Sequence, residues 1–436
     1  MRVLKVFVFT ISFAWSLPAY SQDVERYNFA TLVADIEGIV SPHADAGLLS
    51  GIILVAQDDE IVFQQSYGFA NWEHRIPNSQ ATRFGIGSIT KSMTGYLFDI
   101  LVNAGRLDPD AAVEDFIPDF PRGPNGVAPT VGHLLTHRAG VPHRVTVPAE
   151  ESQFLGTADI VRRIMETGLM FDPGARRSYS SAGYTALARV IELVENEPFD
   201  TVLANRIFGP AGMTSATGET GQRLMNGRAL PYRLGAAAGK IVVKSAPYKD
   251  LRFLTGAGSV YATAADLMSF VTATRNGVFG GVAWELLAGD DPASWQGVAG
   301  RTNGYEASVD VLADRGLTFV FLSNLASASN WQVRSQVQAI LLGEESVALP
   351  EPPPVAAAFE DPRTILGSYG RAEITMTDAM LLRGENEFYP VAGGSYYIPA
   401  SGTTMQFRRD SDGKVDALIS TNAGGRETVL PKSATP

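Results

Sequence analysis

The stretch Phe84-Gly85-Ile86-Gly87-Ser88-Ile89-Thr90-Lys91 places a serine and a lysine three residues apart, directly after a glycine-containing loop. From Ser88 to about Asn103, apolar residues recur at the spacing of one helix face. The sequence therefore predicts a helix that begins near Ser88 and carries Lys91 one turn later on the same face.

The Ser88–Lys91 pair suggests a chemical role. A serine hydroxyl is a poor nucleophile until a base removes its proton, and a lysine on the same helix face can be that base. Burial lowers the pKa of a lysine from about 10.4 by several units, which makes the amine a usable base. The helix start also directs backbone N–H groups and the positive end of its dipole at the serine oxygen. The alternative is that Ser88 is a simple N-cap residue, and the spacing alone leaves both interpretations open.

Tyr179 is the candidate for a second proton-handling group. It lies in a loop over residues 173–181, ahead of a second predicted helix. The alternative is that this tyrosine serves packing alone. Ser411 and Lys414 repeat the serine–lysine spacing on a predicted hairpin turn, so the spacing is a weak signal by itself.

Composition bounds the class of protein. The chain has 436 residues, 45% of them hydrophobic, which suffices for a large core and suggests two or three domains. Its net charge of −11 argues against binding to nucleic acid, because phosphate contacts require clustered Lys and Arg. The sequence contains no cysteine, which excludes thiol catalysis and disulfide bonds. Oligomeric state does not follow from the sequence.

Residues 1–21 have the pattern of an export signal. A basic start precedes an apolar run over residues 6–18, and Ala19-Tyr20-Ser21 fits the small-x-small cleavage rule. We therefore expect cleavage after Ser21 and a periplasmic or extracellular location. The alternative is an uncleaved anchor. No later segment predicts a transmembrane helix.

The remaining chain divides into an α/β (α+β) region over residues 22–345 and an all-β region over residues 360–436. Strand pairs are predicted within residues 51–63 and 307–322, and further helices after Gly183 and from about Ala264. The intervening residues 346–359 include Pro350-Glu351-Pro352-Pro353-Pro354, which predicts a stiff linker. The C-terminal region alternates short apolar segments with turns, as a small all-β domain does.

Six short motifs follow one another between about Leu49 and Asn324. They are Tyr67-Gly68-Phe69-Ala70-Asn71, Gly87-Ser88-Ile89-Thr90-Lys91, His133-Leu134-Leu135-Thr136-His137, Tyr179-Ser180-Ser181, Gly209-Pro210-Ala211-Gly212-Met213 and Asp314-Arg315-Gly316-Leu317-Thr318. In this order they resemble the serine β-lactamase-like family, which includes class C β-lactamases, penicillin-binding proteins, D-amino-acid peptidases and related esterases. The resemblance implies an antiparallel sheet flanked by helices, a mostly helical subdomain around residues 105–250, and a C-terminal β-barrel-like domain.

The same resemblance implies roles for individual residues. Ser88 forms an acyl-enzyme, and Lys91 and Tyr179 share the proton transfers. The backbone N–H groups of Ser88 and Arg301 form the oxyanion hole, with Gly300 preceding the second donor. No cofactor and no metal are implied.

Two positions depart from the family pattern. Where the third motif usually has Lys or His, this sequence has Val298, and where the second motif usually ends in Asn, it has Ser181. The missing groups commonly hold a substrate carboxylate and an amide. The departures therefore favour a small neutral carboxylic ester, with a D-amino-acid peptide or amide next and a β-lactam after that. Arg301 is a candidate replacement charge.

Three other patterns in the sequence could indicate a functional site, but the evidence for each is weaker. His133 and His137 have the spacing of two zinc ligands on one helix, but residue 134 is Leu rather than Glu, so helix packing and capping are the better interpretation. A Ser-His-Asp triad of the α/β-hydrolase type fails, because no serine is flanked as Gly-x-Ser-x-Gly and no histidine follows His143. Lys244-Ser245-Ala246 is a near miss for the third motif and predicts a surface strand or loop.

Two further questions stay open at the level of sequence. In the C-terminal region, Tyr389, Tyr396 and Tyr397 either form the domain wall or reach over the active site. A catalytically silent protein that binds cell-wall fragments or a partner is the rival to the hydrolase, and the losses at Val298 and Ser181 motivate it.

Overall fold

The computed structural model describes most of the chain after residue 28. The predicted signal at residues 1–21 and all of the predicted linker except residues 352–354 lie outside the described residues. The described residues are 29–145, 155–219, 221, 224–237, 240–247, 249–279, 294–345, 352–354, 362–370, 372–377, 380–384 and 386–433.

The described α-helices are numbered in chain order. They are α1 (Phe29–Asp45), α2 (Ile89–Asn103), α3 (Val131–Leu135), α4 (Thr157–Thr167), α5 (Ser181–Glu195), α6 (Phe199–Leu203), α7 (Gly209–Ala211), α8 (Ala264–Arg275) and α9 (Ala328–Leu342). Within the described residues, no helix is both long enough and apolar enough to cross a membrane.

The described strands are numbered in the same way. They are β1 (Gly51–Gln57), β2 (Glu60–Tyr67), β3 (Phe69–Asn71), β4 (Ile76–Pro77), β5 (Phe84–Gly85), β6 (Thr217–Gly218), β7 (Tyr232–Ala237), β8 (Lys240–Ser245), β9 (Val260–Ala262), β10 (Gln296–Thr302), β11 (Tyr305–Leu312), β12 (Leu317–Ser323), β13 (Leu325–Ala326), β14 (Gly367–Tyr369), β15 (Ala372–Thr377), β16 (Met380–Arg383), β17 (Asn386–Val391), β18 (Ser395–Ile398), β19 (Thr403–Arg409), β20 (Val415–Thr421) and β21 (Glu427–Pro431).

A five-stranded antiparallel sheet, in the order β10-β11-β12-β1-β2, forms the centre of the larger region. Strand β1 is buried at every position because both faces of the sheet are covered. Its alternating side chains divide between two cores: Ile52 and Leu54 pack with α2 and α8, whereas Ile53 and Val55 pack with α1 and α9. This arrangement confirms the predicted sheet flanked by helices.

Tight turns set the register of the two central hairpins. Asp58 and Asp59 both have positive φ between β1 and β2, as a two-residue hairpin turn requires. Gly316, at φ +62°, ends the turn between β11 and β12. Both strand pairs predicted from the sequence are present, with each pair slightly longer than predicted.

The subdomain expected to be mostly helical has a different second half. Among the described residues of this subdomain, α-helices extend to Ala211, and β7 and β8 then form an antiparallel hairpin. Residues 240–245 read Lys-Ile-Val-Val-Lys-Ser, and the run of β-branched residues at their centre is typical of a strand. Lys244 therefore lies on a strand, which was one of the two predicted possibilities.

The C-terminal region is an eight-stranded antiparallel sheet, β14 to β21 in sequence order. Its ends approach each other: Gly370 N donates to Pro431 O at 3.0 Å, and Ser433 N donates to Ser368 O at 2.8 Å. The sheet is thus a nearly closed barrel around its own apolar core. This confirms the all-β prediction.

The barrel is tied to the β7–β8 hairpin by buried charge. Glu387 accepts from Arg233 at 3.1 Å and from Lys244 at 2.6 Å. Tyr389 accepts from Lys244 at 3.2 Å, while Tyr396 and Tyr397 pack within the barrel. The three tyrosines serve the barrel wall and this contact, and none of them lines the cleft described below.

Candidate active site

The hydroxyl of Ser88 lies within hydrogen-bond distance of the two predicted proton-handling groups. Lys91 Nζ is 3.1 Å from Ser88 Oγ, and Tyr179 Oη is 2.8 Å from the same oxygen. The structure thus brings together three side chains from two separate segments of the chain. Each group is close enough to exchange a proton with the serine.

The local backbone explains why the hydroxyl is available. Gly87 has φ +50°, which turns the chain sharply before α2 begins at Ile89. Ser88 itself is helical, with φ −63° and ψ −9°, and its side chain makes no capping hydrogen bond. The simple N-cap interpretation therefore does not describe this serine.

Lys91 is held in surroundings that disfavour its charged form. The side chain is buried, with 7% of its surface exposed, and Nζ donates to the Ala257 carbonyl oxygen at 2.6 Å. Desolvation lowers the pKa of Lys91 to about 7. A substantial fraction of this amine is neutral at neutral pH, so it can accept the serine proton.

The carbonyl that receives Lys91 belongs to a fixed loop. Thr94 Oγ1 donates to the Gly256 carbonyl oxygen at 2.6 Å, which ties this loop to α2 next to Ala257. Sequence reasoning missed Ala257, because a backbone acceptor has no side-chain signal.

Tyr179 is positioned by aromatic neighbours. Its ring packs against the rings of His137 and His143, with centroids 4.5 Å and 5.4 Å away. Lys91 Nζ lies 5.0 Å from the centroid of the Tyr179 ring. Burial raises the pKa of Tyr179, while the Ser88 hydrogen bond and Arg177 oppose that shift. The neutral phenol is thus the form present at neutral pH, and it can both donate and accept a proton.

The two histidines of the dismissed zinc pattern have structural roles. His133 lies in α3 and exchanges capping hydrogen bonds with Thr130. His137 follows the end of α3 with φ +60°, so the two residues do not share a helix face as the spacing suggested. His137 Nδ1 accepts from Ser180 N at 3.2 Å, and burial lowers the pKa of His137 to about 4, which keeps the ring neutral. No cluster of three or more metal-ligating side chains occurs in the part of the chain that is described.

Ser181 begins α5 beside this stack. Ser180 caps the helix, since its Oγ accepts from Gly183 N at 2.8 Å and donates to Pro142 O at 2.7 Å. Ser181 follows directly, is nearly buried, and lines the cleft in front of Ser88. The predicted second-motif position therefore faces the site with a shorter polar group than an amide.

Strand β10 lies at the edge of the central sheet and touches the loop before Ser88. A Cβ on Gly300 would be 1.9 Å from Ile86 O and 2.7 Å from Ser88 N, so only glycine permits this approach. A Cβ on Gly87 would likewise be 2.8 Å from Arg301 N. The two predicted oxyanion donors, the N–H groups of Ser88 and Arg301, are thus brought close together, as an oxyanion hole requires.

The positions of Val298 and Arg301, which lie before and after Gly300 in β10, bear on whether this strand offers a cation to a substrate. Val298 packs against the core near Ile89 rather than lining the cleft. The guanidinium of Arg301, expected as a replacement charge, already pairs with Glu306 at 2.9 Å, although the side chain is 66% exposed. Part of its charge is therefore compensated before any substrate binds.

A cleft of about 700 Å³ opens in front of Ser88, with both regions of the molecule as walls. From the larger region, Ser88, Tyr179 and Ser181 line it. The turn between β16 and β17 of the barrel contributes Arg383, Gly384 and Asn386. The sequence did not indicate these barrel residues, because their position depends on how the barrel packs against the β7–β8 hairpin.

Comparison with known proteins fits this arrangement. A model of the Beta-lactamase family matches residues 36–342, which include every residue of the site discussed so far except those of the barrel. The chain belongs to the beta-lactamase family. The match confirms the family resemblance seen in the sequence, and the serine–lysine–tyrosine cluster lies inside the matched range.

Three similar proteins illustrate the range of this family. A putative penicillin-binding protein, PbpX of Bacillus subtilis (strain 168), is 31% identical over 52% of this chain and 55% of its own length. A D-aminopeptidase of Cereibacter sphaeroides (strain KD131 / KCTC 12085) is 27% identical over 72% of this chain and 64% of its own. The chain thus spans less than two thirds of the length of both curated relatives. The solved structure of EstCE1, a hydrolase with promiscuous acyltransferase activity, has a TM-score of 0.59 at 19% identity, and the match covers 72% of this chain and 99% of that one.

Proposed function

We propose that this member of the beta-lactamase family is a serine hydrolase that forms an acyl-enzyme on Ser88. The observation that carries the proposal is the position of Ser88 Oγ, 3.1 Å from Lys91 Nζ and 2.8 Å from Tyr179 Oη. A lysine buried this deeply is costly for the fold, and the cost is understandable when a neutral amine is needed.

The reaction follows from these contacts. Neutral Lys91 accepts the Ser88 proton while Oγ attacks the substrate carbonyl carbon, and the N–H groups of Ser88 and Arg301 stabilise the oxyanion. The proton then passes to the leaving group through Lys91 or Tyr179, the bond to that group breaks, and the acyl ester remains on Ser88. Water attacks this ester, its proton returns along the same route, and the carboxylic acid leaves.

A carboxylic ester is our first choice of substrate. The core position of Val298 and the short side chain of Ser181 leave fewer groups for holding a peptide than the family pattern provides. An ester also has the better leaving group. A D-amino-acid amide or peptide is the second choice, because the region matched by the D-aminopeptidase covers 72% of this chain.

We also propose that the protein is exported after cleavage at Ser21. The support is the basic and apolar pattern of residues 1–21 in the sequence. Comparing the N-terminus of the mature protein with that of the full chain, by mass spectrometry of cell fractions, tests this part separately.

Labelling of the full chain with a fluorophosphonate tests the nucleophile. We expect one label on Ser88, and hydrolysis of 4-nitrophenyl acetate that falls at least about 10³-fold in Ser88→Ala. Ser411→Ala is the matched control, because Ser411 has a lysine at the same spacing but lies exposed in the barrel. A folded wild-type chain with neither label nor turnover on esters and D-amino-acid amides would contradict the proposed hydrolase and favour the silent binding protein instead.

A further inference from the structure

Glu306 is a buried carboxylate on β11, directly opposite one of the two oxyanion donors. The strand register pairs it with Arg301 of β10, and only 8% of its surface is exposed. Its Oε1 forms an ion pair with Arg301 Nε at 2.9 Å, and its Oε2 accepts from Asn330 Nδ2 at 3.0 Å. Because burial of a carboxylate costs free energy even when the group is paired, this position suggests a role beyond stability.

Strand β10 needs an anchor because it lies at the edge of the central sheet. Among the described strands, β11 is its only hydrogen-bonded neighbour. Its other side meets the loop before Ser88, where Gly300 permits the close approach. An oxyanion donor must stay within about 0.5 Å of its productive position, and an error of about 1 Å can reduce a rate about 10²-fold. A contact that holds Arg301 therefore bears directly on catalysis.

The second partner of Glu306 belongs to helix α9, which is itself fixed against β11. Asn330 Nδ2 also donates to Leu325 O at 2.7 Å. One helical turn later, Arg334 Nε donates to Asp310 Oδ2 at 3.0 Å. Asp310 lies four residues after Glu306, on the same face of the strand. Two polar contacts of matching spacing thus fix the helix to the strand, and Glu306 extends the first of them to β10.

We infer that Glu306 is a positioning residue for the oxyanion hole: its carboxylate ties the Arg301 side chain to Asn330 of α9 and so holds the Arg301 N–H beside that of Ser88. The inference rests on the proposed function and adds a residue outside the reacting cluster. Glu306 is not among the described residues that line the cleft, so it acts through Arg301 rather than on the substrate.

Substitution of Glu306 in the full chain tests this role. With 4-nitrophenyl acetate, Glu306→Ala should lower kcat about 10- to 100-fold and change KM less than about threefold, because the displaced donor acts mainly in the transition state. Glu306→Gln should lower kcat only about three- to tenfold. Its amide oxygen can still accept from Arg301, whereas its NH₂ group would then face the Asn330 donor.

Asp310→Ala is the matched control. Asp310 is also a buried carboxylate of β11 that pairs with an arginine, but in the strand register it lies opposite Gly297, at the other end of β10. Both alanine variants should lower the midpoint of urea unfolding, whereas kcat should fall only in Glu306→Ala. If the alanine variants do not fold, Glu306→Gln and Asp310→Asn provide the same comparison, with kcat reduced only in the first.

A double-mutant cycle tests whether Glu306 acts through Arg301. Arg301→Met removes the guanidinium but keeps the backbone N–H. Because both substitutions break the same contact, the double variant Arg301→Met/Glu306→Ala should have a kcat within about twofold of the slower single variant. Losses that multiply would mean that the two side chains act independently, which would contradict the proposed role.

The outcomes separate this inference from the proposed function. An unchanged kcat in Glu306→Ala, with hydrolysis still dependent on Ser88, would overturn the positioning role alone. Equal falls of kcat in Glu306→Ala and Asp310→Ala would also overturn it, because they would indicate a general loss of packing. A wild-type chain with neither ester turnover nor a fluorophosphonate label on Ser88 would overturn both proposals.

Discussion

Ser88–Lys91 and Ser411–Lys414 have the same spacing in one chain but entirely different surroundings. Lys91 extends from α2 into a buried site and meets the Ser88 oxygen, whereas Ser411 and Lys414 are both exposed between β19 and β20. In the second pair, Asp410 accepts hydrogen bonds from the backbone N–H of Asp412 and of Lys414, which forms a tight turn. The comparison shows that the helix and its buried surroundings bring the lysine amine to the serine oxygen, whereas the spacing alone does not.

The largest difference should appear on removing the amines. Lys91→Met keeps an unbranched chain of similar length but removes the base, and we expect kcat to fall about 10²- to 10⁴-fold. Lys414→Met should leave kcat unchanged. Steady-state hydrolysis of an activated ester measures both, with circular dichroism to verify folding. A Lys91→Met variant that retains more than a tenth of the activity would contradict the assigned role.

The second largest difference should appear when a glycine beside each serine–lysine pair is replaced by alanine. Gly300→Ala places a methyl group against Ile86 O, so β10 must shift away from Ser88 and take the Arg301 donor with it. We expect a loss of about 10²- to 10³-fold in kcat and about 1–3 kcal/mol in the free energy of unfolding.

The control for this change is Gly413→Ala. Gly413 has φ +78°, and no heavy atom lies within 4 Å of an added Cβ. Strain in the left-handed region costs about 1–2 kcal/mol, and kcat should not change. Denaturant unfolding and ester hydrolysis of both variants provide the comparison. Equal effects of the two substitutions on kcat would mean that β10 supplies no oxyanion donor.

The smallest effect concerns pH. Because burial lowers the pKa of Lys91 to about 7, the protonated amine predominates below that pH and cannot accept the serine proton. We expect kcat/KM to rise about tenfold per pH unit below pH 7 and to level off above it. A pH profile of ester hydrolysis measures this inflection. A flat profile between pH 5 and pH 9 would show that activity does not depend on the protonation state of Lys91.

Local patterns predicted much of the fold. The helix after Ser88, both central hairpins, the helices after Gly183 and from about Ala264, and the all-β tail follow from periodicity and turn residues. Helices α1 and α9 were not predicted, although Leu32, Ile36 and Val40 have helical spacing in α1. Only the tertiary structure shows their role, which is to cover the second face of the central sheet.

For the candidate site, too, the sequence predicted some features and not others. The sequence placed Ser88, Lys91 and Tyr179 in one cluster, and their distances agree with that placement. It did not indicate the packing of His137 and His143 around Tyr179, the Ala257 carbonyl that receives Lys91, or the barrel residues in the cleft. These contacts join segments far apart in the chain, and neither spacing nor composition records such distances.

The sequence by itself determined that a serine and a lysine share one helix face, because the spacing of side chains on a helix is a property of the local backbone. Only the tertiary structure decided that this lysine is desolvated, that β10 closes against the serine, and that barrel residues line the cleft. Burial and electric field depend on everything that packs around a group, and most of those neighbours are distant in sequence.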